Sequence, residues 1–287
     1  MRTTFNLMGI ADWITLGNGL LGAISVLFMI LAFDGFAYDK NSYEEVYIWL
    51  AMVFILLSTV GDIIDGPIAR RYSKRRHLGS YLDLMSDSLS FGTAPALLVF
   101  SMFSRMGQAT PWWTILLAAG CCWIVICTML RLARFQHEHG DYPWFNGLAS
   151  PGSAVILVTL SALIWVQPAT SWGPDAIEWT LGSGKHPALD WLVLPATLMC
   201  GYLMIADRRL PKAGGRTMLR LTALVIAALL CGISMQIFSS PGDGSADVSF
   251  ILFAFSLVLC LAYITLGPRI VASQQTSDEM ISTSAEE

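Results

Sequence analysis

Eight apolar blocks, at residues 13–33, 46–64, 81–103, 112–132, 153–166, 191–206, 218–238 and 249–266, leave this chain few ways to fold. Their apolar residues come in continuous runs rather than at amphipathic spacing, and crossing the roughly 30 Å of a bilayer's hydrocarbon takes about 20 such residues. Within hydrocarbon each backbone polar group must be paired inside its own segment, so the blocks are expected to be helices. Only 13% of the chain is charged and 55% is hydrophobic, against roughly 25% charged residues in soluble domains. The chain therefore reads as an all-α integral membrane protein with about eight transmembrane helices. Residues 1–272 form one polytopic membrane domain, and the polar, acidic stretch 273–287 is expected to be a disordered tail. The first block is too long for a removable signal and lacks a small-residue cleavage site, so it counts as a span.

Loop charge sets the orientation, because cytoplasmic loops carry the excess of Lys and Arg. Of the 17 basic residues, only Lys40, Arg105 and Lys185 fall on one side of the eight-span arrangement; Arg2, Arg269 and all the others fall on the opposite side. Both termini and the loop between the second and third spans are thus expected in the cytoplasm, with the protein multi-pass in the cell membrane. The longest outer link, 167–190, is rich in Pro, Gly and Trp and is expected at the membrane surface. A net charge of -4 gives no reason to expect nucleic acid as a partner. Cys121, Cys122, Cys127, Cys200, Cys231 and Cys260 all lie in apolar blocks without a CxxC pair, so no disulfide framework or zinc site is indicated.

Against this background four aspartates stand out. Asp62 and Asp65 close the second span three residues apart, and Asp83 and Asp87 open the third span four apart, so each pair shares a helix face. Because the chain turns between them, all four carboxylates converge at one depth beneath the cytoplasmic surface. A charged aspartate at mid-span costs about 2.5–3.5 kcal/mol on insertion scales, less near the interface, and like charges close together add repulsion. Such a cluster persists only around a cation. Oxygen-only ligands favour a hard divalent ion: Mg2+, Mn2+ or Ca2+. Four carboxylates suffice for two ions, an arrangement suited to displacement at phosphorus. Gly66 and Gly79 allow a phosphate or ribose near the backbone, and Arg70, one turn beyond Gly66, is placed to hold a pyrophosphate through its planar fork.

Written out, the stretch is Asp62-x2-Asp65-Gly66-x2-Ala69-Arg70-x8-Gly79-x3-Asp83-x3-Asp87. It resembles, at every fixed position, the signature of the CDP-alcohol phosphotransferase family, membrane enzymes of phospholipid synthesis. The segments ITLGNGLLGAISV (14–26), SDSLSFGTAPA (86–96), RLARFQ (131–136) and WFNGLASPGSA (144–154) are similar to the phosphatidylserine synthase branch. The resemblance implies transfer of the phosphatidyl group of a CDP-linked lipid to an alcohol with release of CMP, using two ions, Mg2+ or Mn2+. Asp62, Asp65 and Asp83 would bind one ion; Asp87 would join Asp62 and Asp83 at the other and serve as the catalytic base. Gly66, Ala69, Arg70 and Gly79 would line the CDP moiety, with Thr15 and Asn18 facing it from the first span. A six-helix core and a homodimer are implied as well, which makes the last two spans additions. Many relatives carry Ser or Thr where this chain has Arg76, whose guanidinium would replace a hydroxyl contact to phosphate. Gln136 and Ala149 stand where the branch usually has Asn and Pro.

L-serine is the expected acceptor, with inositol phosphate, glycerol phosphate or choline as alternatives for the same chemistry. One of Arg131 and Arg134, with Arg134 preferred, would hold the serine carboxylate; otherwise both are anchors reaching toward headgroups. The run from Arg71 to Arg76 reads as a loop facing anionic lipid. Ser90, Phe91 and Gly92 continue the face of Asp87 and either shape the acceptor pocket or simply pack. HEHGD (137–141) is weak as a zinc motif. An ion transporter also keeps membrane aspartates, and an intramembrane prenyltransferase also uses aspartate pairs. Neither needs glycines and Arg70 at these offsets.

Overall fold

The computed structural model describes residues 9–38, 43–72, 76–104, 111–137, 144–166, 191–211, 216–238 and 244–286. In chain order these form α1 (Ile10–Tyr38), α2 (Tyr43–Tyr72), α3 (Arg76–Asp87), a π-helical stretch (Ser88–Thr93), α4 (Ala94–Phe103), α5 (Pro111–His137), strand β1 (Trp144–Asn146), α6 (Ser150–Trp165), α7 (Val193–Ile205), strand β2 (Arg209–Pro211), α8 (Arg216–Phe238) and α9 (Ser245–Glu286). The protein is an all-helical membrane bundle, as expected. Five described segments are long and apolar enough to cross a membrane: Asp12–Ala32, Val46–Ile64, Pro111–Gln136, Met218–Phe238 and Ser245–Ser273.

The remaining blocks depart from uniform spans for physical reasons. The third is one helical path from Arg76 to Phe103 with the π-helical stretch at its centre. Pro95 supplies no N–H and its ring crowds the carbonyl one turn back; a wider turn accommodates both. Accordingly the Ala94 N–H reaches back to the Leu89 carbonyl, and Thr93 Oγ1 donates to the Ser88 carbonyl, 3.1 Å away. Helix α6 has 16 residues and α7 has 13, the latter about 20 Å at 1.5 Å per residue. Most of α6 is buried all round, including Ser153, Ala154, Leu157, Val158 and Ala162. It fills the bundle rather than facing lipid. The helical backbone of α9 continues to Glu286, through the stretch expected to be disordered. Segment 167–190 and the loop after His137 lie outside the described residues.

The pair β1 and β2 is antiparallel, Trp144 opposite Pro211 and Asn146 opposite Arg209. It clasps the chain entering α6 to the chain leaving α7. Gly147 turns out of β1 at φ 81°, and its N–H meets the Arg208 carbonyl at 2.7 Å.

Lipid is as apolar as leucine, so burial of apolar surface does not drive these helices together; close packing and interhelical hydrogen bonds do. Helix α1 lies against α2, α3 and the π-helical stretch through small residues. A Cβ added at Gly19 would lie 3.1 Å from Ser86 Oγ, and one at Gly22 would lie 2.8 Å from Ser90 Cα. Where backbones approach this closely, hydroxyls bridge them. Ser25 Oγ donates to the Ala51 carbonyl at 2.9 Å, Ser58 Oγ to Asn18 at 3.2 Å, Ser86 Oγ to Thr15 at 2.9 Å and Ser90 Oγ to Asn18 at 3.0 Å.

Gly22→Ala is therefore expected to destabilise the protein by about 1–3 kcal/mol, the usual cost of overpacking. Gly17→Ala, inside the same helix at a position with nothing within 4 Å, should not destabilise the protein and should gain up to about 0.5–1 kcal/mol from helix propensity. Denaturation of the two variants in detergent micelles measures the difference.

Candidate active site

Asp62 projects from about two-thirds of the way along α2, and Asp83 and Asp87 from α3. One carboxylate oxygen from each lies within 4.8 Å of those of the other two. Asp87 is buried; the other two are partly buried. The i, i+4 spacing of Asp83 and Asp87 aims both at Asp62, and the α1 contacts hold α2 and α3 at this distance. Asp65, Gly66, Ala69, Arg70 and Arg76 occupy helical backbone of α2 and α3, and their side chains lie outside the described set.

Two unit charges 4.8 Å apart repel by about 3.5 kcal/mol at an effective dielectric of 20. Three mutually close carboxylates therefore favour either protonation of one of them or cationic compensation. Part of it comes from α5: Arg131 lies within electrostatic range of Asp87 and Asp62, and its Nη1 donates to Ser150 Oγ at 2.6 Å. Arg134 is turned elsewhere. Its Nη2 pairs with Asp207 Oδ1 at 2.6 Å, and its Nη1 donates to the Ile205 carbonyl at 3.3 Å. Of the two arginines, Arg131 faces the aspartates. One guanidinium does not neutralise three carboxylates, and an all-oxygen donor set fits hard divalent ions such as Mg2+ or Mn2+.

The α1 face of the site holds Thr15 and Asn18, both buried. A Cβ at Gly61, the residue before Asp62, would overlap Asn18 Oδ1, so the amide lies directly against the start of the aspartate motif. Gly79 also makes a close approach: an added Cβ would sit 2.5 Å from Asp12 Oδ1. Asp12 is a fifth aspartate that the motif does not contain. It is buried, and its Oδ2 accepts the Gly9 N–H at 2.8 Å, closing the N-terminus of α1 in the manner of a capping box. An acidic residue three positions into a helix is the local sequence signal of this cap. Gln136 donates to Ser80 Oγ, tying the end of α5 to the residue after Gly79. Ser90, Phe91 and Gly92 are buried inside the bundle, and a Cβ at Gly92 would lie 3.1 Å from Thr128 Cγ2 of α5.

This geometry agrees with what the chain is similar to. Residues 8–203 match the CDP-alcohol phosphatidyltransferase family, and the protein belongs to that family. It is a membrane transferase of phospholipid synthesis. A CDP-diacylglycerol–serine O-phosphatidyltransferase of Methanocaldococcus jannaschii is 25% identical over 258 residues, which cover 90% of this chain and 92% of that one. The Bacillus subtilis protein of the same description is 30% identical over 52% of this chain and 72% of its own length. The archaetidylserine synthase of Methanothermobacter thermautotrophicus is 31% identical over 52% of this chain and 56% of its own.

Asp83→Asn should weaken Mn2+ binding, followed by calorimetry on purified protein, by more than the about 10–100-fold that losing an outer-shell partner costs. Arg134→Ala removes a solvent-accessible ion pair, worth about 0–1 kcal/mol, and should leave the melting temperature nearly unchanged.

Proposed function

We propose that the protein transfers the phosphatidyl, or archaetidyl, group of a CDP-linked lipid to the hydroxyl of L-serine and releases CMP. The observation that carries this reading is the convergence of Asp62, Asp83 and Asp87 from two helices. The serine-specific descriptions of its relatives, from bacteria and archaea alike, support the choice of acceptor.

Asp62, Asp65, Asp83 and Asp87 hold two divalent ions, Mg2+ or Mn2+. When bound, the ions polarise the phosphoryl oxygens and stabilise the charge on departing CMP. The chain's own groups do the rest. Asp87 takes the proton of the serine hydroxyl. The serine oxygen forms its bond to the lipid-side phosphorus as the bond from that phosphorus to the CMP oxygen breaks, and CMP leaves with the electron pair. Gly66, Ala69, Arg70, Arg76 and Gly79 line the nucleotide diphosphate, with Thr15 and Asn18 opposite. Arg131, with Arg134 at the rim, binds the serine carboxylate; its approach to Asp87 favours it for the closer contact.

The distribution of Lys and Arg over eight spans supports both termini and the site on the cytoplasmic face of the cell membrane, and the family resemblance implies that six of those spans form the catalytic core. The enzyme is read as a homodimer surrounded by membrane lipid.

Purified protein given radiolabelled CDP-lipid, Mn2+ or Mg2+, and a panel of acceptors should release CMP with L-serine only. Chelation should abolish release and added Mn2+ restore it. Release with inositol phosphate, glycerol phosphate or choline instead would reassign the acceptor, and no release with any would overturn the reading. Asp87→Asn should keep CDP-lipid binding while turnover falls at least about a hundredfold, the scale of general-base catalysis.

A further inference from the structure

Helix α9 lies beyond residues 8–203, the part that matches the family, yet it reaches the active-site end of the bundle. It packs on α8, on α6 and on strand β2. Its contact with the clasp is built from two residues one turn apart. The Tyr263 hydroxyl donates to the Pro211 carbonyl at 3.1 Å. A Cβ at Gly267 would meet Leu210 Cδ2 at 2.8 Å and Pro211 Cδ at 3.1 Å, so the helix seats directly on β2. Tyr263 is only partly exposed, and a phenol within an apolar span needs a polar partner.

From Pro211 the contacts lead to the site in a few fixed steps. Pro211 has no N–H to carry the ladder further, and it stands opposite Trp144. Two residues past β1, the Leu148 N–H meets the Leu203 carbonyl at 2.8 Å. Ser150, the first residue of α6, then accepts Arg131 Nη1 at 2.6 Å. Tyr263 also lies within electrostatic range of the Arg131 guanidinium itself. Arg131 is thus braced by Ser150 and lies within electrostatic range of both the α9 phenol and Asp87.

We propose that Tyr263 is a positioning residue for the acceptor: by pinning the β1–β2 clasp against α9 it sets the Ser150 and Arg131 pair, and hence the binding of the acceptor's carboxylate. This rests on the serine reading above. It gives α9 a role in alcohol selection that does not involve the metal-binding aspartates, which reside on α2 and α3.

The test is steady-state CMP release by purified full-length protein with the acceptor and the CDP-lipid titrated in turn. Tyr263→Phe removes one hydroxyl and keeps the ring. It should raise the KM for L-serine about five- to tenfold, the equivalent of one hydrogen bond, with kcat and the CDP-lipid KM within about twofold of wild type. Gly267→Ala keeps the phenol but lifts α9 from β2, and should give the same split. A wild-type enzyme that depends on serine, with serine KM unchanged in both variants, overturns the positioning role alone. Changes in kcat and both KM values together, alongside a lowered melting temperature, also overturn it, since they report a structural defect. Wild-type CMP release without dependence on serine overturns the serine reading and this inference with it.

Discussion

One backbone carbonyl joins the two helices that carry the active site. The Asn18 oxygen of α1 accepts hydroxyl protons from Ser58 of α2 and from Ser90 of the π-helical stretch. Ser58 is one turn before Asp62, and Ser90 is three residues after Asp87. The carbonyl oxygen has two lone pairs, which the two hydroxyls share with any ladder bond of its own, and here it serves as the fixed point from which both aspartate-bearing segments are measured. This matters because the carboxylates repel. In the bilayer no hydrophobic effect opposes that repulsion, so helix separation must be fixed by direct contact. The glycines at 19, 22 and 61, against Ser86, Ser90 and Asn18, supply it.

The π-helical stretch extends the same logic along the third span. A wider turn after Asp87 changes the face that the following residues present. Asp83 and Asp87 point to the aspartate cluster, while Ser90, Phe91 and Gly92 are buried within the bundle. Gly92 then admits Thr128 of α5, and α5 is the helix that delivers Arg131. The irregularity therefore lets one span serve two neighbours at different angles, α1 and α2 near the aspartates and α5 beyond them.

Much of this was legible in the sequence because its signals are local. Apolar runs locate helices, and the block at 46–64 coincides with an observed span. The offset of Asp83 and Asp87 places both on one face. Other features were not legible, each for a definite reason. Arg131 and Arg134 are three apart, hence only about 60° apart around a helix of 3.6 residues per turn. Spacing alone could not say which faces Asp87, and the choice is made by distant partners, Ser150 for one and Asp207 for the other. The strands β1 and β2 have three residues each, too few for an alternating pattern to register. The contact of Tyr263 with Pro211 joins residues 52 apart, and no local pattern announces it.

The two sides of the site are consequently held by different physics. On the aspartate side, glycines and serines bring backbones within van der Waals range, and almost any larger side chain there meets main-chain atoms or a buried polar group. That side tolerates little variation, which suits a nucleotide diphosphate and metal chemistry common to every reaction of this class. On the Arg131 side, the guanidinium is held in part by a hydrogen bond to Ser150 and by a clasp whose far end leans on α9. Each of those contacts involves a side chain that can change without moving a helix axis. In the proposed reaction, the choice of alcohol is therefore adjustable from α6 and α9 while the phosphoryl chemistry on α2 and α3 stays fixed.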